Sequence, residues 1–154
     1  MCAYMIGKTG KLVGKKTASI AIKLGKRTLA IWAADCAEHV LPYFEKECPE
    51  DRRPREAIDA LREWVRTGVF KMADVRKASL DAHAAAREAE EDSAARFAAR
   101  AAGQAMATAH VFTHAFGAAY YGVKAAEAAG VANEREWQYR RLLRIKKKLG
   151  KRQE

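Results

Sequence analysis

The stretch SAARFAARAAGQAMATAHVFTHAFGAAYYGVKAAEAA, Ser93 to Ala129, decides the fold. From Ala101 to Val123 it holds no Asp, Glu, Lys or Arg, and alanine, the strongest helix former, dominates it. Gly103, Gly117 and Gly122 recur within it, so helices made from it offer nearly flat surfaces that neighbouring helices can approach closely. Gln104, Thr108, His110, Thr113 and His114 interrupt the uncharged run, and alanine gains little from lipid, which argues against a membrane span. The stretch reads as the buried centre of a helical domain. One unbroken helix of more than about 30 residues would project beyond so small a domain, so two segments are expected, joined near Gly103 to Thr108.

The flanking sequence supplies the wrapping. Leu29, Trp32, Cys36, Val40 and Phe44 recur at steps of three and four, the apolar face of a helix starting near Thr28. Pro42 lies inside that pattern, so a kink or restart is expected around His39 to Leu41. Pro54 suits a first helical turn, Ala57, Ile58, Leu61, Trp64 and Val65 mark a buried face, and Gly68 supplies the stop, giving a helix over Pro54 to Thr67. A further helix near Met72 to Glu91 has Met72, Val75, Ala78, Ala82, Ala86 and Ala89 as its inward edge. Its acidic end, Glu88 to Asp92, opposes the helix dipole there, and Ser93 can cap the next helix. Asn133 with Glu136 three positions later resembles a capping box for a last helix reaching about Leu149. No strand has comparable support. The fold class is all-α, a compact bundle of five to seven helices with Ile58, Leu61 and Trp64 in its core.

The 154 residues fit one domain, and a domain of that size buries roughly 70% of its unfolded surface without disulfides or metal. Residues 1–27 read as a basic, partly flexible arm with a short element near Ala18 to Leu24, and 28–150 as the single domain. Cys2, Cys36 and Cys48 follow neither a metal nor a disulfide spacing, which suits free thiols in a reducing cytosol. The uncharged run Thr17 to Ile22 is too short for a signal core, so a cytoplasmic location is expected. The net charge of +10 is unevenly spread: +7 over residues 1–34, −4 over 35–134 and +7 over 135–154. Two basic ends on a nearly balanced body steer toward an anionic partner or serve solubility.

Candidate chemistry is sparse. Gly7-Lys8-Thr9 lacks the earlier glycine and strand of a phosphate-binding loop, which excludes nucleotide binding through it. His110 and His114 stand four apart on a predicted helix, so their rings would share one side and could meet a metal, with His83 or Asp35 as a further ligand. No glutamate comes directly after His110, so the metalloprotease pattern is absent, and buried histidines bonded to neighbours are the preferred reading. Asp35 and His39 flank Cys36 at helical spacing, but a structural aspartate tying helices together is favoured over a thiol-activating dyad. No cofactor and no catalytic residue is assigned. Tyr120 and Tyr121 in the alanine-rich wall and the ridge Arg140, Arg144, Lys147 and Lys151 are the candidates for partner binding.

The runs WAADCAEHVLPYFEKECPEDRRPREAIDALREWVRTG (32–68), DAHAAAREA (81–89), AARAAGQAMATAHVFTHAFGAAYYGVKA (98–125) and EREWQYRRLL (134–143) resemble the all-helical, alanine-rich immunity proteins of bacterial toxin systems. The resemblance extends from about Leu29 to Leu143. It implies a small cytoplasmic protein that binds and neutralises a cognate protein toxin, without enzymatic turnover and with no catalytic residues to carry over. The basic ends depart from the acidic character expected of nuclease inhibitors. A helical protein associated with nucleic acid through those ends is the alternative, a metal-binding helical protein using His110 and His114 a second one, and a homodimer is left open.

Overall fold

A computed structural model describes residues 9–151, all of whose regular structure is helical. Eight helices run in chain order: α1, which includes residues 9–13, α2 (Lys15–Ala21), α3 (Lys26–Glu47), α4 (Arg53–Thr67), α5 (Met72–Glu88), α6 (Ala94–Ala107), α7 (His114–Ala128) and α8 (Glu134–Gly150). The all-α class holds, but eight helices among the described residues exceed the expected five to seven. The excess comes from the amino-terminal region, where turns at residues 9–13 and 15–21 bury Val13, Ala18 and Ala21. The short element expected at Ala18 to Leu24 therefore begins three residues earlier. Residues 1–8 of the arm, including Lys8 of the rejected phosphate-loop triplet, lie outside the described residues.

α6 occupies the centre, packed against α3, α4, α5 and α7. Ala95, Ala98, Ala99, Ala101, Ala102, Gly103 and Ala105 are all buried on it, so its neighbours meet backbone and methyl groups with little side chain between. Gly103 is needed for this: a Cβ there would stand 2.7 Å from Nε2 of His83 on α5. Ser93 caps the helix as expected, its Oγ accepting from the Arg96 amide at 3.1 Å. The break between the two central helices falls at residues 108–113, starting at the far end of the expected Gly103 to Thr108. Gly103 is spent on close packing and leaves α6 intact.

α3 is the second axis, 22 residues long, or about 33 Å. Its predicted face is fully inside: Leu29, Trp32, Cys36, Val40 and Phe44 are each at most 1% exposed. The expected restart at Pro42 does not occur, and the helix runs through it to Glu47. A reason lies across the helix pair. Arg55 of α4 donates to Glu45 Oε1 at 2.9 Å and to Glu38 Oε1 at 3.0 Å, bridging the turns on either side of the proline. α4 keeps closely to its predicted limits and ends at Gly68, whose φ of 72° makes it the left-handed cap.

Three expectations about side chains are corrected. Ile58 and Leu61 are fully buried, but Trp64 only packs against the edge of the core, with the Lys26 ammonium 5.7 Å from its ring centroid. On α5, Met72 is exposed because the helix is only entering the bundle there, and the helix stops at Glu88, ahead of Glu91. Asn133 does not form the capping box. It adopts φ 74° with no side-chain cap, and Glu134 beside it turns inward instead.

Candidate partner-binding surface

α8 closes the bundle over α3 and α7 through a few directional contacts. Leu142 and Ile145 are buried, as is Gln138, an unusual residue for a core position. Gln138 is accounted for: its Nε2 donates to Ala119 O at 2.9 Å, while its backbone carbonyl accepts from the Trp32 indole at 3.0 Å. Gly122 makes room for it, since a Cβ would stand 3.0 Å from the amide nitrogen. Arg135 ties the helix start to α1, donating to Leu12 O at 3.0 Å.

Charge completes the clamp. Asp35 is 8% exposed and accepts from Arg62 of α4 at 3.1 Å and from Arg141 of α8 at 2.7 Å. One buried carboxylate thus joins three helices, the structural role its sequence setting favours. Arg62 also reaches Glu38. Beside this cluster His39 bonds Glu134 at 2.9 Å and its ring stacks on Trp137, with centroids 3.7 Å apart and planes within 2°. Cys36 is fully buried, and burial first, then the negative charges of Glu134 and Asp35, pushes its thiol well above the ordinary range. That is opposite to what a nucleophilic thiol needs, and His39 bonds Glu134, so the Asp35–Cys36–His39 arrangement is a helix joint.

The histidines separate. His110 is exposed in the connection ahead of α7, whereas His114 begins the helix, so they do not present two rings on one helical face. His114 Nδ1 lies 2.7 Å from Gln104 Oε1. His83 sits against Gly103, and its Nδ1 is buried without a hydrogen-bond partner among the described residues. Burial lowers the pKa of both rings, joined at His83 by Arg100, Arg87 and His114 and at His114 by His110. Among the described residues, no group of three or more His, Cys, Asp or Glu side chains is placed to hold a metal.

Of the surface candidates, Tyr120 and Tyr121 are half-buried in an aromatic ladder. Tyr121 stacks on Phe97 at 6.3 Å and Tyr120 meets Tyr121 edge-on at 5.3 Å. Lys124 stands 5.4 Å over the Phe97 ring. Arg140 is exposed but held by Glu136 at 2.7 Å. Arg144, Lys147 and Lys151 are exposed, and together with Arg141 and Lys148 they line one depression on α8. α2 packs against α8, so the two basic ends of the sequence lie side by side.

Sequence reasoning passed over an apolar end of the bundle. Val69, Phe70 and Met72 at the α4–α5 connection, and Val111 and Phe112 at the α6–α7 connection, are all exposed. Trp64, Val69, Val75 and Met106 line a groove at the first of these. Its signal was present in the Val69-Phe70 pair directly after the Gly68 stop, where a polar loop is the ordinary choice.

No helix among the described residues is long and apolar enough to cross a membrane. A family model described as Imm-5 like putative immunity protein matches residues 21–145, which takes in every helix from α3 to α7 and most of α8. No curated protein and no solved structure matches the chain.

Proposed function

Since the chain belongs to the Imm-5 like immunity-protein family, we propose that it protects its host by binding a cognate protein toxin and blocking it stoichiometrically, in the cytoplasm and without turnover. The family match over residues 21–145 is the observation that carries this reading. The physical form of the molecule agrees with it. A rigid interior of small side chains holds two distinct outer features in place, the cationic α8 face and the apolar end around Phe70 and Phe112. Desolvated aromatic anchors surrounded by charge are what tight protein interfaces are made of.

The test is genetic and then biochemical. The gene is expressed with and without its neighbouring toxin gene in a sensitive host, and the two products are purified together. Growth rescued by the intact chain, with a one-to-one complex recovered, is the expected outcome. A chain that neither restores growth nor co-purifies with the neighbouring product would remove the reading.

The convergence of the two basic ends favours one second reading, a helical protein associated with nucleic acid. About five neutralised phosphates would give a log–log salt slope near −4 to −5 and a loss on the order of 10²- to 10³-fold between 50 and 200 mM salt. A protein interface loses far less over that range, because only its rim charges are screened. Tight binding of a defined DNA or RNA with that slope would put the second reading first.

A further inference from the structure

The outer face of α8 contributes little to holding the fold. Beyond Arg141, the side chains of Arg144, Lys147, Lys148 and Lys151 stand exposed, and none has an acidic partner among the described residues. Their neighbours Arg140 and Arg141 do, in Glu136 and Asp35. Like charges three and four residues apart on one helix repel one another, so the row is a source of unrelieved positive potential. The amino-terminal helices deepen it. Lys11, Lys15, Lys16 and Lys23 are exposed on the segment that lies alongside α8, and residues 9–34 contain no acidic side chain.

The shape beneath the charge is the informative part. Ile31 of α3 and Ile145 and Leu149 of α8 line a cleft of about 160 Å³, whose remaining walls are Arg141, Arg144 and Lys148. A cationic surface with an aliphatic floor is a poor match for nucleic acid. Phosphates would satisfy the rim, but single strands gain their remaining affinity by stacking bases on aromatic rings, and no aromatic side chain lines this cleft. A membrane surface is also a poor match, because an interfacial helix inserts protruding apolar side chains, whereas Ile145 is only 7% exposed at the bottom of a depression. An acidic amphipathic helix satisfies both features at once, with a stripe of apolar side chains at three- and four-residue spacing and carboxylates flanking it.

We infer that the α3–α8 cleft docks an acidic amphipathic helix of a partner protein, its apolar side chains on the Ile31, Ile145 and Leu149 floor and its carboxylates on the rim of Arg144, Lys147, Lys148 and Lys151. The inference rests on the immunity reading and names the chemistry of the toxin surface engaged. It accounts for the departure of the chain from acidic, nuclease-mimicking inhibitors: here the inhibitor is the cation.

The test uses the full chain and four labelled probes monitored by fluorescence anisotropy: a synthetic helical peptide of Glu and Leu with Leu at three- and four-residue spacing, a scrambled peptide of the same composition, single-stranded DNA, and phosphatidylglycerol vesicles. Two variants accompany the intact protein. One reverses Arg144, Lys147, Lys148 and Lys151 to Glu, all at exposed positions, and the other is Leu149→Ser. The ordered Glu/Leu peptide should bind more tightly than its scrambled form. Charge reversal should weaken it by roughly tenfold or more, and Leu149→Ser should weaken the peptide while leaving DNA binding unchanged. Equal binding of the two peptides, indifference to charge reversal, or tighter binding of DNA or vesicles than of the ordered peptide would overturn the inference. Growth assays separate it from the reading it rests on. A charge-reversed variant that still protects the host from the neighbouring toxin overturns the cleft and keeps the immunity function. Failure of the unaltered chain to protect overturns the immunity function, and the peptide measurements then decide the cleft alone.

Discussion

α6 and α8 are both amphipathic helices of similar length, yet they are held in opposite ways. α6 buries eight residues, six of them alanine, with Gly103 and Met106, and four other helices surround it. Its hold is the sum of many small dispersion contacts in a closely packed interior. α8 buries four residues, Glu134, Gln138, Leu142 and Ile145, and two of those four are polar. It is held by individual bonds: Trp32 to the Gln138 carbonyl, Gln138 to Ala119, Arg141 to Asp35, and His39 to Glu134. The difference teaches where sensitivity resides. The interior should respond to volume and hardly to salt, whereas the clamp should respond to the loss of single polar atoms and leaves its outer face free for another molecule.

The largest effect should come from the interior. Leu61→Ala removes a fully buried side chain from the core around α6 and should cost about 2–5 kcal/mol in denaturant unfolding; a loss under about 0.5 kcal/mol would mean that this face yields to solvent. Next comes the clamp. Asp35→Ala strands Arg141 and leaves Arg62 with Glu38 alone, but Arg62 and Arg141 are 37% and 35% exposed, so the full cost of a broken buried pair is discounted to about 1–3 kcal/mol. Because the stranded Arg141 charge can turn to water, added salt should soften this loss and leave that of Leu61→Ala unchanged. Ser93→Ala, which removes the cap of α6, should cost about 1 kcal/mol. If it costs as much as Leu61→Ala, the centre depends on its end bonds in the manner of α8, and the contrast fails.

The smallest effect concerns pH, at the contact of α6 with His83 and His114. Both rings have folded-state pKa values below the ordinary one, burial being the first cause. The unfolded chain therefore takes up protons first as pH falls, so the stability these rings contribute is complete above an imidazole pKa of about 6.5 and is lost below it. Thermal unfolding should drop by a few degrees between pH 7 and pH 5, and His83→Asn should flatten that part of the profile. An unchanged slope in the variant would place the pH dependence elsewhere.

Legibility in the sequence divides along the same line. Much of what local period sets was readable: the five-residue face of α3, the Pro54 to Thr67 helix with its Gly68 stop, the Ser93 cap and the central pair of helices, though the same signals misplaced Trp64, Met72 and the Asn133 cap. The clamp was not, because its partners are far apart in sequence. Asp35 meets Arg62 across 27 positions and Arg141 across 106, and nothing about a lone aspartate says which arginines will face it. That the break starts only at Thr108, the last residue of the expected Gly103 to Thr108 joint, has the same origin. As a local signal glycine weakens a helix, but here the tertiary approach of His83 uses the missing side chain. Of the candidate surface, the basic residues were found from their helical spacing, while the aliphatic floor between them depends on Ile31, brought in from another helix.

The bridge of Arg55 across Pro42 has a consequence for the motions of the folded chain. A proline leaves the carbonyl four residues before it, that of Glu38, without its helical partner, so the backbone ladder of α3 is interrupted at the turn that precedes residues 43–47. Local openings at such a point set amide exchange rates in the native state. With Glu38 and Glu45 both anchored to one guanidinium, the turns before and after the proline open together or not at all. Arg55→Ala should let the last turn exchange its amides far faster than Val40 and Leu41 before it, splitting one cooperative helix into two without unfolding the protein.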